Sequence, residues 1–118
     1  MSYKSETQFT SPHQSERSAF GHRGKPTGIT IHHWGADGQT HRGVVNYLCS
    51  NRPNNPTSAH YVVSDGLVTC IVDPDRAAYH AASYNGQANG ATIGIECRPE
   101  MSAGDWRTVV ELCTDLER

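Results

Sequence analysis

Apolar positions along this chain fall into short runs with two different periods, and the periods separate strands from helices. Residues 28–34 read GITIHHW, a β-branched run ending in two adjacent histidines and a tryptophan. The run predicts a strand over Gly28–His33. Residues 36–40 read as a loop. Between Arg42 and Ser50, Val44, Val45, Leu48 and Cys49 recur at i, i+1, i+4 and i+5, which predicts a helix. Residues 51–57 (NRPNNPT) carry two prolines and three asparagines and predict a loop. Two β-rich runs, 58–64 (SAHYVVS) and 67–72 (LVTCIV), flank Asp65-Gly66. That dipeptide predicts a hairpin closed by a type I′ turn, in which both central residues need positive φ. Pro74 ends the second arm, 77–83 is rich in small residues, and 84–90 (YNGQANG) reads as a loop. Thr92–Cys97 (TIGIEC) predicts another strand. Ser102 with Asp105 resembles a helix-starting box, with Asp where Glu or Gln is usual. Trp106, Val109, Val110, Cys113 and Leu116 follow at i, i+3, i+4, i+7 and i+10, an amphipathic helix with that stripe toward the core.

The two ends differ. Residues 1–26 are polar, lack periodicity and include Pro12 and Pro26, so an irregular arm is predicted, packed on the body through Phe9 and Phe20. The last helix runs to Arg118 with no Gly, Asn or Pro stop signal behind it, and the expectation is a fragment of a longer domain.

Composition narrows the function classes. With 118 residues there is chain for one domain. The net charge of -2, without a basic block, argues against a dedicated nucleic-acid binder, because phosphate neutralisation needs clustered Lys and Arg. Mean hydropathy is -0.61, and no apolar run approaches the roughly 18 residues of a bilayer span. The first residues, MSYKSETQF, contain no apolar stretch of a secretory signal, so a protein acting beyond the membrane would need another agent to release it. None of Cys49, Cys70, Cys97 and Cys113 lies in a CxxC pair, so they read as small buried thiols, with a disulfide left open, and not as a zinc ribbon.

Candidate chemistry gathers at strand ends. In a strand, neighbouring side chains point to opposite faces, so only one of His32 and His33 looks into a given cleft. A strand histidine is commonly structural, but this pair is followed by His60, His80 and Glu96 at similar positions. Imidazoles suit zinc, whose catalytic sites use three protein ligands and an open position for water. Burial would raise the pKa of Glu96 and make it a proton acceptor; the alternative is a surface pair with Arg98 or Arg76. His60 reads as a second ligand, a hydrogen-bond donor to the transition state, or a core histidine with a satisfied ring, and His80 has the same options. Trp34 reads as an aromatic wall for substrate or as ordinary packing.

The segments ITIHHW, SAHYVVSDG, AAYHAAS and ATIGIEC, in that order and spacing, resemble the N-acetylmuramoyl-L-alanine amidases shared by phage endolysins and peptidoglycan recognition proteins. The resemblance covers residues 27–118, an amidase-like domain after the arm. It implies an α/β fold, a central mixed sheet flanked by helices, with a zinc ion over one face. It implies hydrolysis of the amide between N-acetylmuramic acid and L-alanine in bacterial peptidoglycan, with no nucleic-acid partner and no membrane insertion. By resemblance His32 is a zinc ligand, Glu96 and His80 are the catalytic candidates, and His33, Trp34, His60 and Asn85 contact substrate. The catalytic tyrosine that some members carry before the histidine of the SAHY strand is Ala59 here, which leaves the role to Glu96. The family's other two zinc ligands follow its last helix, so they are expected beyond Arg118 and weak zinc binding is expected of this chain. Two other readings stay open: a peptidoglycan-binding module of the same fold without catalysis, and an unrelated hydrolase or structural α/β domain.

Overall fold

The strand Thr92–Cys97 buries its alternate residues in two different environments, and the rest of the molecule is arranged around that division. The computed structural model describes residues 3–81 and 87–117. In chain order these form β1 (Lys4–Glu6), β2 (Gln14–Glu16), a 3₁₀ turn (Arg17–Phe20), β3 (Gly28–His33), α1 (His41–Cys49), β4 (Tyr61–Ser64), β5 (Leu67–Cys70), β6 (Arg76–Ala78), α2 (Gln87–Ala91), β7 (Thr92–Cys97) and α3 (Ala103–Leu116). The main sheet is mixed and five-stranded, in the order β1-β5-β4-β7-β3; β2 and β6 make a separate antiparallel pair. β7 is central and runs parallel to both β3 and β4. β4 and β5 form the antiparallel hairpin, and β1 adds in parallel to β5.

One face of the sheet is apolar. Ile93, Ile95 and Cys97 of β7 join Tyr61, Val63 and Val68 beneath Val109 and Leu112 of α3. Each fully buried aliphatic side chain there contributes about 1.5–3 kcal/mol. On the other face α1 sets Val44, Val45 and Leu48 against Val62, Ile71, Val72 and Ala78. That helix covers only part of the face and leaves the β7–β3 side open for polar residues. Among the described residues no helix is long and apolar enough to cross a membrane, and all four cysteines are free.

Three expectations need correction. The arm is not irregular: Lys4–Glu6 extends the main sheet and Gln14–Glu16 pairs with β6. Three-residue polar strands held by backbone hydrogen bonds have no hydrophobic period to read. Phe20 does pack on the body, edge-on to Tyr79 at 5.8 Å between ring centroids, and Phe9 packs against the α1 cluster. The hairpin forms with Asp65-Gly66 at its tip, but only Gly66 has positive φ (72°), which is the requirement of a type II turn and not of type I′.

The third correction concerns α3. Its buried residues are Gly104, Asp105, Thr108, Val109 and Leu112, while Trp106 and Val110 of the expected stripe stay 50% and 60% exposed. Polar contacts rotate the helix. Ser102 and Asp105 form the capping box, and Asp105 also pairs with Arg98 at 2.6 Å. The Thr108 hydroxyl accepts from the Gly66 N–H at 2.8 Å. Gly104 lies so close to Asp65 that a Cβ there would collide with its carboxylate.

Candidate active site

Parallel pairing of β3 with β7 sets Thr30 opposite Gly94 and His32 opposite Glu96. Directly opposed residues share a face of the sheet, and this is the face that α1 leaves partly uncovered. The same row continues from Glu96 to Val62, Thr69 and Glu6 on the neighbouring strands. The polar end of the row borders a cavity of about 900 Å³ whose lining includes His33, Trp34, Tyr47, His80, Asn89 and Glu96.

Among the described residues no ion pair meets the Glu96 carboxylate. Its Oε1 is buried and has no hydrogen-bond partner among the described residues. Arg98 pairs with Asp105 and Arg76 with Glu16, so the surface ion pair considered from sequence does not form. Burial pushes its pKa up to about 7, from an ordinary value near 4.5. A carboxyl titrating there exchanges protons readily at neutral pH.

His80 lines the cavity and sits against His32, with His80 Nδ1 3.0 Å from His32 Nε2. Hydrogen-bond bookkeeping fixes both rings. The Thr92 hydroxyl donates its single proton to the Ala88 carbonyl at 2.6 Å, so its oxygen accepts from Thr30 Oγ1 and from His80 Nε2–H. His80 Nδ1 is then an acceptor, His32 Nε2–H donates to it, and the lone pair of His32 Nδ1 is left over. The His80 ring sits so close to Gly94 that any Cβ there would collide with it. Burial, with His60 and His32 nearby, holds its pKa down at about 4, so the ring is neutral at pH 7. Burial also lowers the pKa of His32.

The remaining sequence candidates divide. His60 does not line the cavity, contrary to the expectation that it contacts substrate. It is fully buried, with Nδ1 accepting from the Gly94 N–H at 2.9 Å and Nε2–H donating to the Arg76 carbonyl at 2.7 Å. It is the core histidine with a satisfied ring. A site so deep is invisible to a motif that shows only strand position. His33 lines the cavity and accepts from the Gly35 N–H through Nδ1, which leaves the proton on Nε2 as a donor. Trp34 both lines the cavity and packs on the α1 cluster, and its indole N–H is buried without a partner among the described residues. Asn85 lies outside the described residues.

Two residues that sequence reasoning missed complete the floor. Asn89, buried on α2, accepts the N–H groups of His80 and Ala81 through Oδ1 at 3.0 and 2.8 Å. Gly94 leaves room for the His80 ring. Asn89 fell in a stretch read as loop, and Gly94 in a strand read only for its apolar residues; a glycine inside a strand does signal a close approach of another group.

The donor set does not complete a zinc site. Among the described residues no three His, Cys, Asp or Glu side chains are grouped to hold a metal ion. His32 offers one free nitrogen, while both nitrogens of His80 are already engaged.

Residues 22–116 match the protein family described as N-acetylmuramoyl-L-alanine amidase, and the chain belongs to that family. Comparison with curated proteins finds no match. Solved structures share the fold. The catalytic domain of XlyA superposes with a TM-score of 0.74 at 24% identity, covering 96% of this chain and 74% of that one. PlyL gives 0.71 at 22% identity, covering 96% and 72%. The Staphylococcus aureus hydrolase AmiA, solved in complex with its ligand, gives 0.70 at 18% identity, covering 97% and 57%.

Proposed function

We propose that this amidase-family chain hydrolyses the amide joining the lactyl group of N-acetylmuramic acid to L-alanine in bacterial peptidoglycan. The observation that carries the reading is the half-buried Glu96 carboxyl on the wall of the cavity, opposite His32 in the sheet, with its buried Oε1 unpartnered among the described residues. Glu96 takes a proton from water as its oxygen attacks the amide carbon. It then returns the proton to the nitrogen as the C–N bond breaks, leaving a lactyl carboxylate and a free alanine amino group. The Nε2–H of His33 is the donor available to the substrate carbonyl or the oxyanion. His80 holds the His32 ring and takes no proton itself. Trp34, half-buried against the α1 cluster, forms the wall.

A zinc ion would act as Lewis acid on the carbonyl. The family is generally zinc-dependent, and His32 Nδ1 is the position this chain offers, but the described residues do not complete the ligand set and no step above runs through the metal. The finer biological reading is a bacteriolytic phage endolysin, made in the host cytoplasm and acting on the cell wall.

The test is release of amino-terminal alanine from purified peptidoglycan, with and without added zinc, by the wild-type chain and by Glu96→Gln. The reading expects release that the substitution abolishes. Wall binding by both proteins without any release would replace the enzyme with a binding module.

A further inference from the structure

Arg17 precedes the family match at residues 22–116, yet its side chain reaches the floor of the site. The residue is 4% exposed. Its Nε and Nη2 donate to the Pro74 carbonyl at 3.1 and 2.6 Å. Its Nη1 faces the carbonyls of Asn89, Gly90 and Thr92 at 3.4, 2.7 and 3.1 Å. Nη2 also lies 3.3 Å from His60 Nε2, a packing contact because both nitrogens carry protons. None of the ion pairs among the described residues involves Arg17; Asp75 attracts it from a distance. A buried cation spending its donors on backbone carbonyls is uncommon, since burial of charge needs compensation.

The choice of carbonyls supplies the reason. Asn89 and Gly90 belong to the end of α2, where carbonyls lack helical partners and attract positive charge. Thr92 opens β7. Pro74 belongs to the turn before β6, the strand that leads to His80. One planar guanidinium thus ties together the segment that approaches His80 and the segment that supplies Asn89 and Thr92, the groups that fix the His80 backbone and ring. Lysine could not span this set, because it presents a point charge and no fork. Gly90 admits the arm: a Cβ there would lie 2.9 Å from Phe20 Cβ.

We propose that Arg17 is a positioning residue for the active site: it holds α2 and the start of β7 so that the His80 ring keeps its Nδ1 on His32. This rests on the amidase reading for its kinetic consequence, but the ring geometry does not.

The test uses the full chain with Arg17→Lys and Arg17→Ala, followed by alanine release and by ¹⁵N spectra of the His80 imidazole with no metal added. Arg17→Lys keeps the charge and stem and guards against a misfolded alanine variant. The expected result is a kcat lowered by about tenfold or more at an unchanged folded fraction, with KM within about twofold. The spectra are expected to lose the pattern of a protonated Nε2 and an accepting Nδ1, and dilute guanidinium is expected to restore part of the activity of Arg17→Ala. Arg17→Lys with wild-type kcat and an unchanged His80 spectrum would overturn the proposal. So would a kcat loss that tracks the unfolded fraction. If the wild-type chain releases no alanine, the amidase reading fails by itself and the His80 spectrum decides the role of Arg17.

Discussion

Glu6 and Glu96 stand near the two ends of one cross-strand row, on the same face of the same sheet, and their surroundings are opposite. Glu6 is buried with every need met. It accepts from the Thr69 hydroxyl at 2.8 Å and pairs with Arg42 at 3.1 Å, and the Thr69 hydrogen bond first, then Arg42, holds its pKa below the ordinary value. His41 extends the network, with Nε2 2.8 Å from Thr69 Oγ1 and Nδ1 2.7 Å from Ser64 Oγ. Glu96 has an oxygen with no partner among the described residues and a pKa raised to about 7. The same residue type in the same row is therefore cement at one end and, in the proposed function, the reactive group at the other. Satisfied hydrogen bonds make the first a stability element; an unpartnered Oε1 beside a cavity, among the described residues, makes the second the candidate site.

The sharpest way to break this comparison is to exchange each carboxylate for its amide. Glu96→Gln is expected to lower alanine release by about 10²–10⁴-fold, the span of a general acid–base group, with no loss of folding stability in a urea titration. A destabilised but active variant would reverse the assignment. Gly94→Ala should come next. Its Cβ displaces the His80 ring, and a misplacement near 1 Å is expected to lower kcat by about 10²-fold. Wild-type activity of this variant would mean that His80 does not orient the site. Glu6→Gln is expected to cost about 1–3 kcal/mol of stability, through loss of charged hydrogen bonds at a buried position, and to leave activity per folded molecule unchanged.

In pH dependence the two residues pull in opposite directions. The raised folded-state pKa of Glu96 gives stability that is full below about 4.5 and lost as pH rises through about 7. The lowered pKa of Glu6 gives stability present above about 4.5 and lost as pH falls through its folded value. Urea midpoints measured from about pH 4 to about pH 8 should show the neutral-side loss in wild type and not in Glu96→Gln, and a smaller acid-side loss in Glu6→Gln.

Legibility in sequence followed the range of the interaction. β3, β7 and the hairpin were written as local alternation, and α1 as a helical period, so the central sheet and its helices were readable. The candidate site was half readable: Glu96, His32, His33, Trp34 and His80 stand where strand ends suggest chemistry, and the structure brings them to one region. His60 looked the same in sequence and proved to be a buried strut, because only the third dimension shows which backbone groups its nitrogens meet. Arg17 acts over separations of 57 to 75 residues, Asn89 over only eight and nine, and both act on carbonyls or amides that every residue possesses, so no side-chain pattern marks them. The α3 stripe held at Val109, Cys113 and Leu116 and failed at Trp106 and Val110 for a related reason. Gly104, Asp105 and Thr108 set that helix's rotation through contacts with a turn and with Arg98, and these outweigh the attraction of Trp106 and Val110 for the core.

The central claim is that Glu96 is the one end of the row kept unsatisfied for chemistry. The most direct measurement is a ¹³C NMR titration of the side-chain carboxyls, with Glu96→Gln and Glu6→Gln identifying the two resonances. The account expects Glu96 to titrate near 7 and Glu6 below the usual glutamate range. A Glu96 resonance that titrates near 4.5, alongside Glu6, would contradict it.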